Sequence, residues 1–120
     1  MSKYTFYEDP GHGWLEVPVE DLIEAGVANK ISSCSYRDDN GMAYLEEDCD
    51  MAIFLEAKAG PARNGAEGGA YAHWWELYWT DHSYTTRGMP EIWIRKLGNY
   101  WVSDREKARM PAGAEQLVLI

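Results

Sequence analysis

No apolar run in this sequence approaches the roughly 20 residues that a bilayer requires, so a membrane span is not expected. The first seven residues lack the basic-then-apolar pattern of a secretory leader, so export is not expected either. Cysteine is scarce. Cys34 and Cys49 could pair, but two cysteines in a chain without an export signal are expected to remain reduced, packed thiols. No Cys-x-x-Cys or Cys/His cluster has zinc-ligand spacing, the acidic runs lack the pattern of an EF-hand loop, and His12, His73 and His82 show no diagnostic spacing. No metal or other cofactor is therefore expected. Signatures of serine hydrolases, zinc proteases, phosphate-binding loops and dinucleotide folds are all missing. Basic residues are few, 11 against 20 acidic ones, and the resulting net charge of −9 argues against direct contact with nucleic acid.

What is present describes one domain over residues 1–120, with 46% hydrophobic and 26% charged residues. Six Trp and eight Tyr supply enough large apolar surface for a core without disulfide or metal staples. The charge is lopsided. Residues 1–60 hold thirteen acidic and four basic residues, and residues 61–120 hold seven of each, so the entire imbalance lies in the first half. Such asymmetry marks a charged working face, although acidic surface also serves plain solubility.

Along the chain, Tyr4–Tyr7 and Trp14–Val17 are expected to be strands of a hairpin, separated by the turn chemistry of Pro10-Gly11-His12-Gly13. Val19–Gly26 is expected to form a short helix, started near Pro18, stopped at Gly26, and apolar along Val19, Leu22 and Ile23. Ile31–Tyr36 and Met42–Glu46 are expected to pair across Asn40-Gly41 in a type I′ turn. Asp48 or Asp50 would cap a helix over Met51–Lys58, with Met51, Phe54, Leu55 and Lys58 on one face. A flexible loop is expected over 60–70. The aromatic segment Tyr71–Trp79 and the segments Glu91–Arg95, Tyr100–Val102 and Gln116–Ile120 are assigned as strands, with Asp104–Met110 an exposed charged stretch. The expected fold is α+β: an antiparallel sheet built from hairpins with two short helices on one face.

Two sets of residues are candidates for function. Asp38, Asp39, Glu46, Glu47, Asp48 and Asp50 place six carboxylates within thirteen positions, more than helix capping explains. Carboxylates on rigid elements can imitate phosphates and fill a basic groove built for nucleic acid, so the expected partner is a protein with a basic surface. The alternative is a small enzyme or ligand-binding protein with a pocket at His12, where Glu8 and Asp9 tune the imidazole and Trp14 lines the site. A third reading makes Trp74, Trp75 and Trp79 the interface of a homo-oligomer.

Tyr7-Glu8-Asp9-Pro10-Gly11-His12-Gly13-Trp14-Leu15, Ser35-Tyr36 and Tyr44-Leu45-Glu46-Glu47-Asp48-Cys49-Asp50 together resemble small phage-encoded proteins of unassigned function, over about residues 4–58. The resemblance implies an accessory protein of phage or mobile-element origin acting in the host bacterial cytoplasm. It implies no catalytic residues. It favours a host-takeover or anti-defence role, which joins with the carboxylate cluster in the expectation of a DNA mimic that inhibits a host protein such as a defence nuclease.

Overall fold

The computed structural model describes residues 4–9, 11–59, 79–82 and 93–111. Strands β1 (Tyr4–Asp9) and β2 (His12–Pro18) form an antiparallel hairpin in which Phe6 faces Leu15 and Tyr7 faces Trp14. Helix α1 (Val19–Glu24) follows directly, because Pro18 can end a strand and open a helix without an orphaned amide. Gly26 takes a φ of 76°, and its amide and that of Val27 close back onto the carbonyls of Ile23 and Leu22, the bonding of a Schellman stop.

Strand β3 spans only Tyr36–Arg37, and β4 spans Met42–Glu46. Helix α2 covers Met51–Ala59, β5 covers Trp79–His82, β6 is Gly98–Asn99, and α3 is Asp104–Ala108. The strand order is β5-β1-β2-β4-β3-β6. All pairings are antiparallel except β1 with β5, so a parallel edge strand extends two antiparallel hairpins joined through β2 and β4. The fold is α+β.

Strand alternation sends two apolar sets to opposite faces. On one face Phe6, Leu15, Val17, Ala43 and Leu45 meet Val19, Leu22 and Ile23 of α1 and Met51, Phe54 and Leu55 of α2, so both helices lie together as expected. Tyr4 meets the Phe54 ring edge-on at 5.3 Å and donates its hydroxyl to Asp21 at 2.6 Å. On the other face Tyr7, Trp14 and Tyr44 are covered by Trp93 and Ile94, with Trp93 edge-on to both tyrosines.

Several local expectations are corrected. Ile31–Ser35 is not strand: Ser32 and Ser35 give their hydroxyls to Asp50 instead, and side-chain bonding of this kind competes with a ladder. The β3–β4 turn is not type I′, since Gly41 alone has positive φ (86°). Asp38 Oδ1 accepts from the amides of Asn40 and Met42 and holds a three-residue loop that ends in the left-handed glycine. Residues 93–94 form a helical turn rather than a strand, which lets adjacent Trp93 and Ile94 both reach the same sheet face. Residues 100–102 are not strand, and the charged stretch after them is helical, started by a reciprocal capping box of Ser103 and Glu106. The segments 60–70 and 116–120 lie outside the described residues, as do residues 71–78 of the aromatic segment. Only Trp79 of that segment is described, at the start of β5.

Candidate functional site

The six carboxylates divide into two groups at opposite ends of β4. Asp38 and Asp39 sit at the β3–β4 turn, whereas Glu46, Glu47, Asp48 and Asp50 follow the far end of the strand. The four steps of strand from Met42 to Glu46, at about 3.4 Å each, keep the groups roughly 14 Å apart. They do not converge on one patch.

Their environments differ as much as their positions. Asp50 is 2% exposed, and its carboxylate accepts from Ser32 N at 3.1 Å, Ser32 Oγ at 2.9 Å and Ser35 Oγ at 2.6 Å. It stands at the start of α2, with its backbone carbonyl accepting from Ile53, but the side chain ties the 32–35 loop down instead of capping the helix. Ser35 Oγ also accepts from the Glu46 amide, and the Ser35 carbonyl accepts from Tyr100, so one buried acid organises three segments. Asp38 is spent on its own turn. Glu46, half-buried, accepts from the Asp48 amide at 2.9 Å. Glu47 is half-buried, bonds through its amide to Gly13 O, and lies beside Gly13. Asp39 and Asp48 are exposed.

Other acids of the first half also serve structure. Glu16 accepts from the Tyr44 hydroxyl at 2.8 Å; burial and this bond together push the Tyr44 pKa upward. Glu20 forms a two-pronged pair with Arg109, which holds its carboxyl below the usual range. Arg37 does the same for Glu106, at 3.0 and 2.7 Å, and also lies 4.5 Å over the Trp101 ring. That pairing, helped by the Ser103 bonds, brings Glu106 down to about 2.

At the hairpin tip, His12 stacks on Trp14 with 5.6 Å between centroids and 18° between planes. Trp14 is completely buried in the second core cluster, and the Arg95 guanidinium lies 5.8 Å from its centroid. Asp9 lies opposite His12 in the β1–β2 register and Glu8 lies opposite Gly13. Trp74 and Trp75 fall outside the described residues. Among the described residues no helix is long and apolar enough to cross a membrane, and no three His, Cys, Asp or Glu side chains are grouped to hold a metal.

Two features escape a reading of the sequence. Cys34 and Cys49, expected as packed thiols, are both exposed. Trp101 is 58% exposed, held by Arg37 across the sheet edge. The Ser103-x-x-Glu106 capping signature was available in the sequence; the pairing of Arg37 with Glu106, 69 positions apart, had no local signal. Comparisons with family models, curated proteins and solved structures return no match.

Proposed function

We propose that this chain is a non-enzymatic binding protein that offers the turn Glu46-Glu47-Asp48 to a cationic surface on a partner protein. The observation that carries the reading is the placement of three successive carboxylates on one tight turn between β4 and α2, with Glu46 and Asp48 in no ion pair among the described residues. Asp39 adds charge from the other end of β4. Asp50, both of whose oxygens accept hydrogen bonds, and Asp38, whose Oδ1 accepts two, fix the two turns and make no contact with the partner. A nucleic-acid-binding surface on a host protein, such as a nuclease, suits this chemistry, and the resemblance of residues 4–58 to small phage-encoded proteins supports a bacterial host and an inhibitory role.

The test is capture from bacterial lysate at low and high salt with three baits: the natural chain, the triple variant Glu46→Gln/Glu47→Gln/Asp48→Asn, and an equal-charge control, Glu20→Gln/Glu24→Gln/Glu56→Gln. A protein retained at low salt by the natural chain and the control, lost by the loop variant and displaced by duplex DNA, supports the reading. Equal retention by all three baits refutes it.

A further inference from the structure

We propose that Cys34 and Cys49 form an exposed dithiol that closes to an intramolecular disulfide by exchange with a small dialkyl disulfide such as oxidised glutathione. The inference stands apart from the proposed partner.

Both thiols are accessible, and each lies in a short segment fixed to the other. Cys34 sits between Ser32 and Ser35, which both bond the carboxylate of Asp50, the residue next to Cys49. The Ser35 hydroxyl reaches the same second segment by accepting from the Glu46 amide. The cysteine backbones are held as well, Cys34 N donating to Ser32 Oγ at 3.1 Å and Cys49 N to Glu46 O at 3.2 Å. The Cys49 thiol lies within hydrogen-bonding reach of the Cys34 thiol and the Glu46 carboxylate, which push its pKa up to about 12. Exposure with a neighbouring thiol in reach is the arrangement of a redox-responsive cysteine pair rather than of a packed core residue.

In one order of events, Cys34 attacks first. Its thiolate bonds to one sulfur of the small disulfide, breaking that S–S bond and expelling one thiolate. Cys49, losing its proton, then attacks the Cys34 sulfur and expels the second thiolate. The two departing thiolates take up the two protons released by the cysteines, so a dithiol and a disulfide become a protein disulfide and two small thiols, with the protein oxidised and the reagent reduced.

The test equilibrates the full chain with reduced and oxidised glutathione, natively and in urea, followed by thiol titration and intact mass. Loss of both thiols without retained glutathione is expected, reversible by dithiothreitol. The native midpoint should need at least about tenfold less oxidised glutathione than the urea-unfolded chain, because folding holds the sulfurs together. Cys49→Ser should stop as a mixed disulfide on Cys34. Persistence of both thiols, two glutathione adducts per chain, a linked dimer, or the same midpoint in urea would each overturn the proposal.

Discussion

Replacing Asp50 with Asn tests whether this acid is a structural ligand. The carboxylate is almost wholly buried and takes three hydrogen bonds from Ser32 and Ser35. Hydrogen bonds to a charged group contribute roughly 1.5–3 kcal/mol each, and they are not additive. An amide of the same shape keeps one acceptor oxygen and turns an NH2 toward a hydroxyl that already accepts from the Glu46 amide. Because the charge's own burial cost is removed with it, the net loss should be about 2–4 kcal/mol, a large part of the 5–15 kcal/mol typical of a domain. At this chain length that lowers Tm by roughly 8–16 °C. Urea and thermal unfolding followed by tryptophan fluorescence measure it. Asp48→Asn, at an exposed position two residues away, should stay within about 0.5 kcal/mol of the natural chain. A loss below about 1 kcal/mol for Asp50→Asn, or equal losses for both variants, would refute the assigned role.

Two further predictions concern stability. Glu106 is held near 2 in the folded chain by Arg37, below its ordinary value of 4.5. A depressed carboxylate contributes stability above its unfolded pKa, and that contribution drains away as pH falls from about 4.5 toward 2. Glu106→Gln should therefore lose stability at pH 7 and show a shallower acid decline over that window; parallel curves for the variant and the natural chain would exclude the coupling. At Gly13 an added Cβ would lie 2.5 Å from the Phe6 ring and 3.1 Å from Glu47 Cδ. Phe6 is fully buried, so Gly13→Ala should cost about 1–3 kcal/mol in urea unfolding, and an unchanged midpoint would contradict the packing.

The elements readable in the sequence are those with local causes. Pro18 and Gly26 bracket α1, and alternation along Tyr4–Tyr7 and Trp14–Val17 gives the hairpin its two faces. The apolar residues of α2 set its inward side. Where the fold departs from expectation, a distant residue decides. Ile31–Ser35 has a fair strand composition until Asp50 claims its hydroxyls, and nothing near residue 33 announces that. Trp93 and Ile94 have strand propensity, yet the second sheet face needs both of them, and only a helical turn delivers both. The acidic cluster shows the same limit. Six carboxylates close in sequence become two groups on opposite ends of β4, and two of them, Asp50 and Asp38, act as ligands for hydroxyl and backbone groups. Sequence spacing records which charges are present but not which the fold consumes.

The salt dependence of partner binding is the most telling measurement. With the captured protein purified, Kd for the natural chain should weaken at least about tenfold between 50 and 200 mM salt, because exposed carboxylates act through a screened field. The Glu46→Gln/Glu47→Gln/Asp48→Asn variant should bind more weakly at low salt and respond to added salt with a clearly smaller slope. Identical slopes for the two proteins, or a Kd indifferent to salt, would contradict a binding role for the turn between β4 and α2.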